Sequence, residues 1–194
     1  MGTQFKWTDA GRLPSDWEAR KLSTVSRIVR GGSPRPAGDP RFFNGSFIPW
    51  LTVAALTNLP DWVLEVRETF GWLTEAGSKR SRKLEAGTLI IANSGATLGI
   101  AKILGVTCCA NDGIAALLHV REVQKHFLCY YLNGQTKRLR EVVASGNGQP
   151  NLNTDLIGEI AVPFPEFEEQ QTIASALRDI DGLLVGLAWP IHAP

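Results

Sequence analysis

Leu84–Leu104, LEAGTLIIANSGATLGIAKIL, decides the fold. Within it Gly87–Ala92 is a short apolar run bounded by Gly and Asn, the pattern of a central strand. Ile100–Leu104 and, further on, Ile114–Val120 read as more strands, joined by short turns that contain Gly. Working upstream, Thr74 is placed to cap a short polar helix carrying Lys79-Arg80-Ser81-Arg82-Lys83. Trp62–Phe70 reads as a half-buried strand, with Trp62, Leu64, Val66 and Phe70 on one face and Glu65, Arg67 and Thr69 on the other; Glu68 breaks the pattern. Phe47–Leu51 reads as a strand or buried edge. Before it, GGSPRPAGDPRFFNG (Gly31–Gly45) holds too much Gly and Pro for regular structure. Ser23 is read as the cap of a helix through Val25 and Ile28, ended by Gly31-Gly32, and Leu13–Leu22 as a Pro-punctuated entry with a short amphipathic segment.

Downstream, Phe127–Leu132 and Lys137–Val143 read as helices, Ser145–Asn153 as an open polar loop, and Ile160–Val162 as a last strand stopped by Pro163 and Pro165. Strands and helices do not alternate strictly. The fold expected is therefore α+β, a curved and mainly antiparallel sheet with flanking helices, over residues 1–164. Residues 165–194 form a separate helical segment. There Glu166, Glu168 and Glu169 suit the positive end of a helix dipole. Ile173, Leu177, Ile180, Leu184 and Leu187 recur at spacings of 4, 3, 4 and 3, a heptad stripe that seeks another helix. Two heptads leave two partners open: a second copy of the chain, or the chain's own domain.

Composition bounds the function. With 44% hydrophobic and 20% charged residues in 194, the chain has the make-up of a soluble globular protein able to bury a core. No stretch approaches the apolar length of a membrane span, and the opening MGTQFKWTDAG has no apolar signal region. Cys108, Cys109 and Cys129 form no CxxC and read as reduced, buried thiols of a cytoplasmic protein. The net charge of +1 hides an asymmetry. Residues 1–154 hold 19 Lys+Arg against 12 Asp+Glu, a balance of +7; residues 155–194 hold 1 against 7, a balance of −6. The first part suits phosphates and the second should repel them.

No catalytic constellation assembles. GxSxG, GxxxxGK[ST] and HExxH are absent, and His119, His126 and His192 lack metal-ligand spacing, so neither metal nor cofactor is expected. Binding chemistry is better represented. Lys79, Arg80, Arg82 and Lys83 place four cations in five residues, enough for several phosphate contacts, although they also fit a solvated helix face. Arg30, Arg35 and Arg41 flank or sit in the Gly/Pro loop and carry the fork that recognises a guanine edge. Asn93, Ser94, Asn147, Gln149 and Asn151 offer polar side chains of the kind that read bases; their loops equally fit plain turns.

The punctuation of the whole chain resembles the specificity subunit of type I restriction–modification enzymes. LPSDWEARKLSTVSRIVRGGSP looks like that family's Pro-x-x-Trp entry, short helix and Gly-x-x-Pro loop. FFNGSFIPWLTVAAL is similar to its Gly turn before Ile-Pro-Trp, and LEAGTLIIANSGATLGIAKIL to its strand and Ser-Gly-Ala-Thr-x-Gly turn. SGNGQPNLNTDLIGEIAVPFPEFEEQQTIASALRDID resembles its exit, where Gln-Pro-Asn, Pro-x-Pro and Glu-Gln lead into a connector helix. Four such pieces stand in the family's order over residues 13–187.

The resemblance implies a target-recognition domain followed by a C-terminal connector helix. It implies a non-catalytic component that binds double-stranded DNA and directs modification and restriction subunits to a split site. Such subunits carry two recognition domains separated by long helices; this sequence has one, and its helical pattern stops near Leu187. A half-subunit or a truncated form is expected, with a homodimer through the heptad stripe as one way to restore a second half-site. The alternative function is an enzyme acting on DNA, a nuclease or transferase with unrecognised catalytic residues; a protein adaptor is a third.

Overall fold

The computed structural model describes residues 4–143 and 151–188, with the side chains of Ala96, Val142, Val143, Leu187 and Ala188 outside that description. A hairpin of β1 (Phe5–Thr8) and β2 (Gly11–Pro14) opens the chain, followed by β3 (Glu18–Lys21), one helical turn α1 (Leu22–Val25) and β4 (Arg27–Arg30). Next come β5 (Phe43–Leu51), α2 (Val53–Thr57), β6 (Glu65–Val66), β7 (Gly71–Leu73), α3 (Glu75–Ser78) and β8 (Arg82–Leu84). Then follow β9 (Leu89–Ala92), β10 (Ala101–Leu104), β11 (Cys108–Ala110) and β12 (Ile114–Leu118). Helices α4 (Lys125–Gly134) and α5 (Thr136–Arg138), the latter continued by a wider π-turn over Leu139–Val143, then α6 (Thr154–Gly158), strand β13 (Ala161–Phe164) and the long helix α7 (Phe167–Ala188) complete it.

Two sheets carry the domain. A five-stranded sheet has the order β4-β12-β9-β10-β6 and a four-stranded sheet the order β7-β5-β11-β8. Pairing is antiparallel except for β10 with β6 and β5 with β11. The α+β expectation holds, with the single curved sheet resolved into two packed ones and two ribbons, β1-β2 and β13-β3.

Strand β9 shows why the deciding stretch is legible. Side chains alternate across a strand, so a strand buried on both faces is apolar without interruption. Leu89 and Ile91 face a core shared with Phe127, Leu128 and Leu132 of α4. Ile90 and Ala92 face a second core between the sheets, with Leu51, Val66, Leu84 and Leu104. Each large side chain so buried contributes roughly 1.5–3 kcal/mol against exposure. Lys102, the single charge in the three central strands β12, β9 and β10, is buried too. Its ammonium donates to the carbonyls of Pro60, Asp61 and Val63 at 3.2, 3.5 and 2.5 Å and ties that segment down, while burial lowers its pKa.

Several expectations are corrected. The Ser23 helix is only Leu22–Val25, with Lys21 at its N-cap, and Ile28 belongs to β4, paired with Leu117. Of Trp62–Phe70 only Glu65 and Val66 form a strand, paired with β10; Lys102 holds the Val63 carbonyl ahead of it, and Phe70 is exposed. The amphipathic segment before Leu22 is a strand, β3, hydrogen-bonded to β13. Pro163 lies inside β13 rather than ending it, tolerated because β13 pairs on one side only. Thr74 does cap α3, its Oγ1 accepting from Gly77 N at 3.0 Å, but the helix ends at Ser78 and the basic cluster runs past it onto β8.

Candidate nucleic-acid interface

Three chain segments far apart in sequence meet on one rim of the sheets. Gly31 N donates to Ile114 O and Gly32 N to Ala110 O, laying the Gly/Pro loop on the turn between β11 and β12. A Cβ at Gly31 would stand 2.0 Å from the Asn111 carbonyl oxygen, so only glycine permits this approach. Ser81 Oγ donates to Gly32 O at 2.6 Å and Arg82 Nε to Arg30 O at 2.6 Å, which joins the basic cluster to the same loop. The guanidinium of Arg80 stacks on Phe42 at 4.7 Å and that of Arg41 at 5.4 Å. Gly31, Gly32 and Arg80–Lys83 line a depression of about 400 Å³.

The cations on this rim differ in their commitments. Lys79 pairs with Glu75, Lys83 with Glu85, and Arg41 with Asp39, whose carboxyl is held down at about 2 by hydrogen bonds from the Arg41 guanidinium and backbone. Exposed pairs of this kind contribute little. Arg30, Arg80 and Arg82 have no carboxylate partner among the described residues. Arg30 Nε instead donates to the Asp112 carbonyl at 2.6 Å, and Arg35 Nη2 reaches the Asp112 carboxylate at 3.3 Å. Backbone-anchored guanidinium groups with free donor edges are able to meet phosphates or base edges.

Helix α7 has two unlike parts. Its first turns dock on the domain through Gln170, which is fully buried. Gln170 Oε1 accepts from Gln124 N at 2.8 Å, and Nε2 donates to Pro165 O at 2.9 Å and Glu122 O at 3.3 Å. Ala174 is buried, Ile173 packs on the α4 core and Trp17 Nε1 donates to Glu169 at 3.1 Å; further along, the Tyr130 hydroxyl donates to Asp181. The later turns expose Ile180, Leu183, Leu184 and Val185. A groove of about 710 Å³ runs beside the helix, lined among others by Trp62, Tyr130, Arg178 and Val185. No helix among the described residues is long and apolar enough to cross a membrane.

The model of one family, type I restriction modification DNA specificity domain, matches residues 14–187. The chain belongs to that family. The MjaIX specificity subunit of a type I restriction enzyme from Methanocaldococcus jannaschii is 28% identical over 185 residues, 94% of this chain and 42% of that protein. The MjaVIII specificity subunit of the same organism is 26% identical, over 93% of this chain and 43% of that protein. Among solved structures, the HsdS subunit from Thermoanaerobacter tengcongensis superposes with a TM-score of 0.69 at 21% identity, over 93% of this chain and 41% of that one. A chain from a study of assembly and conformational transition in the type I R-M system gives 0.71 at 22%, over 90% and 40%. The chain thus spans less than half the length of the specificity subunits it matches.

Within this specificity domain, the candidates fall into three groups. Arg30, Arg35, Arg41, Lys79, Arg80, Arg82 and Lys83 all lie exposed on the rim or its flank. Ser94, half-buried, and Asn151, exposed, form a backbone bridge to one another, and Leu152 N donates to Asn93 O. Asn93 itself is corrected. It is buried at 2% exposure with Nδ2 on the Asp112 carbonyl, so its side chain serves the turn and has no access to a base. Asn147 and Gln149 lie outside the described residues. Of the stripe, Ile173 and Leu177 are half-buried while Ile180 and Leu184 are exposed. Sequence reasoning missed Ser33, Phe42 and Asp112 on the rim. It also missed the role of Gln170, although the Glu-Gln motif that contains it was in view.

Proposed function

We propose that this chain reads one half-site of a split duplex target through the Arg-rich rim and contributes no catalytic step. The observation that carries the reading is the convergence of Arg30, Arg35, Arg80 and Arg82 from two chain segments onto one backbone-anchored rim around Asp112. In this reading residues 1–164 are the recognition domain and the helix after them is the connector. Modification and restriction subunits, acting in the cytoplasm, supply the chemistry. The exposed apolar turns of α7 take the equivalent helix of a second copy, so that a twofold pair reads two inverted half-sites.

Selection of bound sequences from a randomised duplex pool tests this directly. A single enriched half-site, or its inverted repeat, with affinity that falls steeply with salt is the expected outcome. Recovery of no enriched sequence would overturn the reading, as would metal-dependent cleavage or methyl transfer by the purified chain alone.

A further inference from the structure

We propose that Asp112 is a positioning residue for base reading, fixing the donors by which the rim discriminates one sequence from another. The inference rests on the reading of the rim as a DNA interface and assigns the origin of its selectivity. Asp112 lies in the turn between β11 and β12 and is tied on every side. Its Oδ1 accepts from Ser33 Oγ at 2.8 Å, its Oδ2 from Arg35 Nη2 at 3.3 Å, and its own N–H donates back to Ser33 Oγ at 3.4 Å. Its carbonyl accepts from Arg30 Nε at 2.6 Å and Asn93 Nδ2 at 3.2 Å. The other rim carboxylates pair locally, Asp39 with Arg41, Glu75 with Lys79 and Glu85 with Lys83. Asp112 alone among these reaches partners 77 to 82 residues away.

A carboxylate here works against attraction. Amid cations that meet phosphates, its charge weakens binding to every duplex alike. What it supplies is geometry. Arg35 is 71% exposed and spends one Nη2 bond on the carboxylate. The guanidinium is planar with five donors, so one bond from Nη2 restricts its orientation and leaves the remaining donors to face a base edge such as guanine O6 and N7. A side chain held in place before binding also loses less freedom on binding. Specificity is a difference of affinities, so a group that costs general affinity yet orients a reader raises the difference.

The test uses the full chain with two duplexes of equal length: the sequence recovered by selection and a random one. Asp112→Asn keeps the backbone carbonyl and removes the charge. The expected result is a divergence of sign. Affinity for the random duplex holds or rises, affinity for the selected duplex falls, and their ratio shrinks about tenfold or more. Arg35→Met should shrink the ratio comparably, and the double variant should add little to either. Asp112→Glu, which keeps the charge but displaces it, should also lose discrimination. Equal loss on both duplexes, or an unchanged ratio, overturns the proposal. Should Asp112→Asn fail to fold, Ser33→Ala and Arg35→Met remove the carboxylate's partners without substituting a residue of the turn, and an unchanged ratio in both has the same force. Arg80→Ala with Arg82→Ala separates the two readings. A flatter salt dependence there with an unchanged ratio in Asp112→Asn defeats the positioning role alone, whereas no effect in either defeats the interface as well.

Discussion

The rim around Asp112 and the helix α7 are both surface features, yet they are built on opposite terms. The rim is polar and assembled from residues 30–41, 79–83 and 112, held by side chains that donate to backbone carbonyls of other segments. The helix is periodic and continuous in sequence, anchored by a buried amide at its start and by the Tyr130 hydroxyl on Asp181 further along, and it exposes apolar side chains toward its end. Rigid anchoring at the rim suits recognition, where donors must hold their positions before the ligand arrives. An apolar end on a docked helix suits assembly, where area rather than direction is needed.

The sharpest break of this contrast lies within the basic cluster itself. Arg80 and Arg82 have no carboxylate partner among the described residues, whereas Lys79 and Lys83 already pair with Glu75 and Glu85. Replacing both arginines by Ala should flatten the slope of log affinity against log salt by about 2, at roughly 0.9 per phosphate contact. Binding to all sequences should weaken together. The Lys79→Ala, Lys83→Ala pair should change the slope by less than half as much. Equal slopes for the two pairs would mean that ion pairing does not decide which cations meet DNA.

On the helix the largest effect belongs to Gln170. Gln170→Leu keeps much of the volume but leaves Pro165 O without its partner in a buried place, and Gln124 N and Glu122 O without theirs where burial is partial. Each unsatisfied group costs about 1–3 kcal/mol, and partial relaxation should hold the total to roughly 2–4 kcal/mol. Urea unfolding measures it. A loss below about 1 kcal/mol would mean that packing of Ile173 and Ala174, not the amide, seats the helix.

What was legible in the sequence follows the same division. The strands β9, β10 and β12 are readable because burial on both faces leaves uninterrupted apolar runs. Helix α7 is readable because its period extends over many turns. Strands of two or three residues, such as β6, β7, β8 and β11, carry too little pattern, since their pairing is with distant segments. Residues Arg27–Arg30, RIVR, were drawn into a helix because four residues cannot separate a period of 2 from one of 3.6. At the rim the cations could be named by type, but Asp112 stayed invisible because Ser33 and Arg35 stand 79 and 77 residues from it. Asn93 was misplaced for a related reason: an amide that braces a turn and one that reads a base are the same residue in a sequence.

The thiols give a smaller test of the two cores. Cys108 faces the core between the sheets and Cys129 the helical core, and burial pushes both thiols up to about 12. Thiolate is the reactive form, so at pH 8 neither should be alkylated while the chain is folded. A raised pKa in the folded state also means that ionisation favours unfolding, and stability from this source falls as pH rises above the ordinary thiol value. Native-state mass spectrometry after iodoacetamide should show both unmodified at neutral pH and modified in denaturant. Rapid labelling of Cys129 alone would locate a local opening under α4.

The smallest effect on stability, and the most telling for assembly, belongs to the end of α7. Leu183 is 69% exposed and Leu184 43%, so replacing both by Lys, which matches Leu in helix propensity and suits the end of a helix, should change unfolding free energy by no more than about 0.5 kcal/mol. The stripe alone would have pointed to Leu177, but Leu177 is half-buried, and a charge there would confound folding with association. Ile180, Leu183, Leu184 and Val185 together form the apolar end that a partner helix would cover. Sedimentation equilibrium of the wild type should show a dimer at high micromolar concentration, and the Leu183→Lys, Leu184→Lys variant a monomer of unchanged stability. Its affinity for a single half-site should equal the wild type's, while its affinity for an inverted repeat should fall, because only the pair engages both halves at once. A wild type that stays monomeric would leave this apolar end to a subunit of another kind. A variant that stays dimeric would move the self-contact away from the helix altogether.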